Sequence, residues 1–201
     1  MSAAEPQTRS SRDQGLVLLG VLAAIMWVSE IADSIAFDLD RYGIAPRDAD
    51  GLDGILWAPF LHAGFGHLVG NTLPFLVLGA GIALSGVARV AAVTAVVVLV
   101  GGLGTWLFGP ENTVHIGASG VVFGYAAYLV SRFWWTRRAL DAGMALVVLA
   151  VYGTTLLIGL VPTPGVSWQG HLFGAVGGVV AARLVHRRRD QATATSAAAV
   201  P

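Results

Sequence analysis

The sequence predicts an all-α polytopic membrane protein built from six transmembrane helices. Three observations predict it. Of 201 residues, 55% are hydrophobic and only 12% charged, and the mean hydropathy is +0.70. These values lie outside the soluble globular range. Six apolar stretches follow a polar start, each near the roughly 20 residues that a bilayer-crossing helix needs. Finally, charge is segregated. The net charge is zero and all 12 basic residues are arginine, yet ten of them fall on one side of an alternating six-helix path.

Residues 1–14 read as a polar N-terminal segment. The spans are expected at about 15–36, 60–84, 88–108, 118–136, 143–161 and 169–186, so the membrane domain covers 15–186. Gly15 to Trp27, after Arg9 and Arg12, has the look of a signal-peptide core. No small-x-small cleavage site follows it and Glu30 interrupts it, so a retained first helix is expected. The segment 187–201 is rich in Ala, Thr and Ser after its arginines and reads as a disordered tail.

Arginine placement orients these spans. Arg9 and Arg12 precede span 1, and Arg89 lies between spans 2 and 3. Arg132, Arg137 and Arg138 surround the end of span 4, and Arg183 with Arg187 to Arg189 ends span 6. The opposite side receives Arg41 and Arg47 beside Asp38, Asp40, Asp48, Asp50, Asp53 and Glu111. The positive-inside rule makes the first side cytoplasmic, with both termini inside a cell-membrane protein.

Spans 2, 4 and 6 then all enter from the outside. Near their outer ends stand His67 and Asn71, Ser119, and His171. Polar groups inside a membrane segment are expensive and mark a candidate functional site. Ser119 precedes Arg132 by 13 residues and His171 precedes Arg183 by 12. At about 1.5 Å per residue these are about 20 and 18 Å of helix. Ser119 and His171 therefore share one level, roughly 10 Å below the outer surface of a hydrocarbon core about 30 Å thick. The loop 109–117 must dip to that depth, which irregular backbone tolerates only inside protein or beside a water-filled cavity. Gly120 and Gly124 on span 4, and Gly170, Gly174 and Gly178 on span 6, are spaced for close helix approach. His171 shares the face of Gly174 and Gly178, so it should meet span 4.

A serine, a histidine and amide donors are the components of acyl-transfer chemistry. Ser119, within Gly117-Ala118-Ser119-Gly120, is the candidate nucleophile; taken alone it reads first as a packing residue or a helix cap, and His171 at matching depth reverses that reading. His171 is the candidate general base, and alone it is equally a core histidine bonded to a carbonyl. No carboxylate stands at this depth, which predicts a Ser–His dyad and not a triad. His67 and Asn71, four apart on one helix face, are candidate oxyanion donors with the Ser119 backbone N–H, or else an interhelical clasp. His62 is expected to serve the loop. With no cysteine in the chain, disulfides and thiol chemistry are excluded. Neither His-Glu-x-x-His nor Gly-x-Gly-Asp occurs, so no metal site and no aspartyl protease is expected. Gly101-Gly102-Leu103-Gly104 lacks a phosphate-loop lysine, and no nucleotide or nucleic-acid partner is expected.

The set His62…His67-x-x-x-Asn71, Gly117-Ala118-Ser119-Gly120 and Gly170-His171-x-x-Gly174 resembles the rhomboid family of intramembrane serine proteases over about residues 15–186. The resemblance implies a six-helix rhomboid-like bundle without a cofactor. It implies Ser119 as nucleophile, His171 as base, and His67 and Asn71 as oxyanion donors. It also implies cleavage of single-span membrane proteins near the outer face. Two features depart from the family pattern. The first external loop holds Arg41-Tyr42-Gly43 and Trp57 but no Trp-Arg pair. The position four after Ser119, often tyrosine in the family beneath the histidine, is Phe123. A phenyl ring there supplies the same packing surface for His171. A catalytically inactive relative that binds membrane clients, and a small transporter, are the competing readings. The complete Ser119, His171 and Asn71 set opposes the first. The lack of an internal repeat opposes the second.

Overall fold

The computed structural model describes residues 7–198, and side chains from 10 to 186. The first six residues and the last three lie outside it, with the corresponding parts of the expected terminal segments. The described residues fold as seven α-helices: α1 Gln7–Ile35, α2 Gly54–Trp57, α3 Phe65–Ala83, α4 Val87–Phe108, α5 Ser119–Thr136, α6 Ala139–Gly159 and α7 Trp168–Ala198. Among the described residues there is no strand. One antiparallel bridge joins Ile44 to His115. The six predicted spans correspond to α1 and α3–α7, which form a helical bundle.

The helix limits differ from the expected ones for local reasons. The first helix begins at Gln7 and not near 15, because polar residues continue a helix that hydropathy does not report. Likewise α7 runs on to Ala198, past the boundary expected at 186. Span 2 was expected from 60, but α3 begins at Phe65. Residues Ala58–Phe60 form a 3₁₀ turn around Pro59, and Gly64 at φ 98° turns the chain into the helix.

Among the described residues, four helices are long and apolar enough to cross a membrane by length and composition: Ser10–Ile35, Phe65–Ala83, Val87–Phe108 and Ala139–Gly159. The two that fall short are α5 and α7. Helix α5 is largely buried in the bundle, and α7 buries one face against α4 and α5 while Leu172, Val176, Val179 and Leu184 stay exposed, so each has positions that meet protein instead of lipid. That is where polar side chains are tolerated.

Glycine makes this interior possible. A Cβ on Gly174 would strike the carbonyl oxygen of Gly120, and one on Gly178 that of Gly124. A Cβ on Gly120 would stand 3.1 Å from the Gly170 carbonyl oxygen. The backbones of α5 and α7 are thus in direct contact along the paired glycine faces. The other flank of α7 meets α4. There Gly101 lies 3.3 Å from the Cα of Gly174, measured from its would-be Cβ, and Gly104 accepts the Phe173 ring. The run at 101–104 is therefore a packing face.

Around this centre, Leu19 and Met26 of α1, Phe75, Leu78 and Ile82 of α3, and Tyr125, Tyr128 and Leu129 of α5 fill the core. Phe75 and Tyr125 stack with ring centroids 5.5 Å apart. Each buried tyrosine hydroxyl has a partner, as such a group requires. Tyr125 pairs with Thr94 at 2.5 Å and Tyr128 accepts from Arg89 at 3.0 Å.

The connection from α1 to α3 is held without a Trp-Arg pair. Arg47 donates to the carbonyls of Leu107 at 3.0 Å and Gly109 at 2.8 Å, and its backbone N–H donates to Trp106 at 3.0 Å. These satisfy carbonyls that the end of α4 leaves without helical donors. Trp106 donates in return to the Asp48 carbonyl at 2.8 Å. The loop after α4 is thereby fastened to the loop before α2.

One variant tests the glycine interface away from Ser119. Gly178→Ala should destabilise the protein by about 1–3 kcal/mol, since the added carbon meets backbone and not a movable side chain. Thermal unfolding in detergent measures it. A melting temperature equal to that of the wild type would contradict the direct contact.

Candidate active site

Ser119 is the first residue of α5. The chain reaches it through Gly117 at φ 112°, a conformation that residues with side chains rarely adopt. A Cβ on Gly117 would also lie 2.6 Å from Cε1 of His67. Glycine is needed twice over at this position. Its N–H donates to the Ala58 carbonyl at 2.8 Å, and the Ala118 N–H reaches Nε2 of buried His62 at 3.4 Å. His62 thus holds the loop, in the role expected of it, with its ring edge-on to His67 at 5.1 Å between centroids.

His171 comes from the first turn of α7, and its Nε2 lies 2.8 Å from Oγ of Ser119. Its Nδ1 lies 2.7 Å from the carbonyl oxygen of Gly159, at the end of α6. A carbonyl only accepts, so in the neutral ring Nδ1 carries the proton and Nε2 offers its lone pair to the serine hydroxyl. A backbone carbonyl here takes the orienting position that a carboxylate holds in a triad. Glu30, Asp33 and Glu111 make no contact with either residue, and Glu111 pairs with Arg47 at 3.0 Å.

The Phe123 ring lies under the imidazole, centroids 4.1 Å apart and planes inclined by 6°. A Cβ on Gly159 would strike this ring and stand 3.1 Å from Nδ1 of His171. Three elements therefore fix the imidazole: α5 by its phenyl face, α6 by its last carbonyl, and α7 by the backbone that carries it. His171 is 7% exposed.

His67 and Asn71 lie on α3, facing Gly117. Asn71 is buried and donates to the His67 carbonyl at 3.2 Å. Its Nδ2 would lie 3.7 Å from a Cβ on Gly117. The Ala63 N–H reaches Nδ1 of His67 at 3.3 Å, which leaves Nε2 on the Gly117 side. The Ser119 N–H, at the first helical position, has no acceptor within its own helix. Three polar groups thus stand around the backbone just ahead of the serine.

Ser119, His171, His67 and Asn71 all line one open cavity of about 1080 Å³, whose far wall is the turn Pro162–Trp168 between α6 and α7. A smaller recess of about 50 Å³ lies behind Ser119, bordered by Val97, Gly101 and Gly102 of α4. Among the described residues, no group of three or more His, Asp or Glu side chains is placed to share a metal ion.

The structure brings together every expected residue: Ser119, His171, His67, Asn71, Phe123, Gly117, Gly120 and Gly174. Two contributors were passed over in the sequence. Gly159 gives no signal, because its part is played by a main-chain carbonyl. His115 lines both cavities, with Nδ1 2.6 Å from Oγ of Ser167 and Nε2 3.0 Å from Oγ1 of Thr113. It ties the loop before Ser119 to the start of α7. Its signal was available as a third histidine four residues before the serine.

Comparison with known proteins adds an independent line. The Rhomboid domain profile matches residues 51–188. An uncharacterised protein of Mycobacterium tuberculosis is 42% identical over 203 residues, covering 94% of this chain and 84% of the relative. One from Mycobacterium leprae is 43% identical over 197 residues, covering 90% and 77%. YdcA of Bacillus subtilis, provisionally named a rhomboid protease, is 27% identical over 132 residues, covering 65% of this chain and 66% of its own.

The Gly159 contact predicts the tautomer. In protein labelled with ¹⁵N-histidine, His171 in its neutral form should carry its proton on Nδ1. A neutral ring protonated on Nε2 would contradict the geometry.

Proposed function

The chain belongs to the rhomboid family, and on that premise we propose that it is an intramembrane serine endopeptidase acting through a Ser119–His171 dyad. The observation that carries this reading is the pair of contacts on one imidazole, 2.8 Å to Ser119 and 2.7 Å to the Gly159 carbonyl. His171 takes the hydroxyl proton through Nε2 as Oγ attacks the scissile carbonyl, and returns it to the leaving amine. A Ser119 ester remains, which water hydrolyses by the same base in reverse order. Charge on the tetrahedral oxygen is met by His67, Asn71 and the Ser119 N–H.

The protein is a multi-pass membrane protein, and its substrates are single-span transmembrane proteins in the bilayer. Arginine placement sets both termini in the cytoplasm and the cavity toward the outer face of the cell membrane. The substrate helix unwinds near its outer end, because an intact helix keeps its carbonyls in internal hydrogen bonds. The small recess behind Ser119 favours a small side chain before the scissile bond. No cofactor takes part.

Ser119→Ala should abolish cleavage of a model transmembrane substrate and leave the fold intact. Turnover at the wild-type rate by this variant would refute the dyad, whereas a wild-type protein that binds the substrate without cleaving it would favour the client-binding alternative.

A second expectation concerns the stacked ring. Phe123→Ala should lower cleavage far more than it lowers thermal stability, since the imidazole loses the surface that holds it toward the serine. Phe123→Tyr should stay near wild type. Proportional loss of activity and stability in the alanine variant would make Phe123 a packing residue only.

A further inference from the structure

We propose that a cavity at the arginine-rich end of the bundle, opposite Ser119, binds the phosphate headgroup of an anionic phospholipid. The cavity holds about 900 Å³. Arginines from four different helices or their caps line it: Arg12 of α1, Arg89 of α4, Arg132 of α5 and Arg138 at the start of α6. A topological signal requires arginines on this side of the membrane. It does not require them to converge on one space.

Among the described residues Asp141 is the sole carboxylate in the lining, and it is already engaged. Its Oδ1 lies 3.0 Å from Nε of Arg132, and its Oδ2 accepts from the Thr136 hydroxyl at 2.6 Å. Arg132 and Arg89 each spend one amino group on a hydroxyl, of Ser85 and Tyr128 respectively. Among the described residues, the guanidinium groups of Arg12 and Arg138 make no hydrogen bond or ion pair. The lining therefore carries an excess of positive charge with donors to spare. The caps of two long helices border it as well, Gly86 before α4 and Arg138 before α6. Helix N-termini add positive potential and free N–H groups for a phosphate.

The mouth chooses between a lipid and a dissolved anion. Exposed Leu84, Trp135 and Leu140 stand among the lining residues. An acyl chain fits such a rim, and a water-soluble phosphate makes no use of it. Basic pockets between helix ends are suited to anionic headgroups, with each arginine near the surface adding to the attraction.

The test uses the full-length protein, delipidated in neutral detergent and titrated with phosphatidylglycerol or phosphatidylcholine under native mass spectrometry. Phosphatidylglycerol should bind at least about tenfold more tightly, and Arg12→Gln with Arg138→Gln should lose about tenfold of that affinity. The charge-matched control, Arg137→Gln with Arg183→Gln, removes two exposed arginines outside the cavity and should change affinity about twofold or less. Ser85→Glu, at an exposed position, keeps every arginine and should also weaken binding; it decides the matter should the double variant fail to fold. Equal binding of the two lipids, or equal loss in the two double variants, would overturn the site. Displacement of the lipid by an equal concentration of inorganic phosphate would overturn the lipid as its occupant. The readout is binding alone, so its outcome is independent of whether Ser119 is a nucleophile.

Discussion

The direct backbone contact between α5 and α7 is the constraint on which the rest depends. Ser119 and His171 sit at the first turns of these two helices. Their 2.8 Å separation is attainable because Gly120, Gly124, Gly174 and Gly178 remove the side chains that would hold the axes apart. A single methyl at the Gly174 position meets the Gly120 carbonyl, one residue from Ser119. The packing that stabilises the bundle is thus the same packing that sets the reacting groups. It also explains why α5 and α7 are less lipid-like in composition than their neighbours.

A second layer of positioning acts on the imidazole. In a low-dielectric interior a hydrogen bond is stronger and a misplaced polar group more costly. Here the ring has no carboxylate partner, and its orientation comes from Gly159 and Phe123. A carbonyl fixes the tautomer without adding a buried charge, which suits a site inside a membrane domain. Gly117 plays the corresponding part on the other side of the serine. Its left-handed φ lets the loop press against His67 and Asn71 while the next N–H, that of Ala118, reaches Nε2 of His62.

Much of the fold and of the candidate site was legible because both follow from periodic or repeated features. Arginine placement set the helix directions, and counting residues from Arg132 and Arg183 brought Ser119 and His171 to one depth. Helical spacing likewise carried Phe123 from Ser119 to the imidazole. What was not legible depends on main-chain groups or on irregular segments. The Gly159 carbonyl leaves no trace in a side-chain pattern. The bracing of the loops by Arg47 and Trp106 joins residues about 60 apart through carbonyls, and no local rule reports that. The glycines at 101 and 104 stand out in the sequence, but spacing on α4 alone does not reveal their partner, α7.

The central claim is that Ser119 is a nucleophile activated by His171. The most direct measurement is covalent labelling by a serine-directed fluorophosphonate probe in membranes, with the modified residue identified by mass spectrometry. The structure predicts a single adduct on Ser119 that disappears in His171→Ala. An unlabelled wild-type protein, or equal labelling with and without the His171 imidazole, would contradict it.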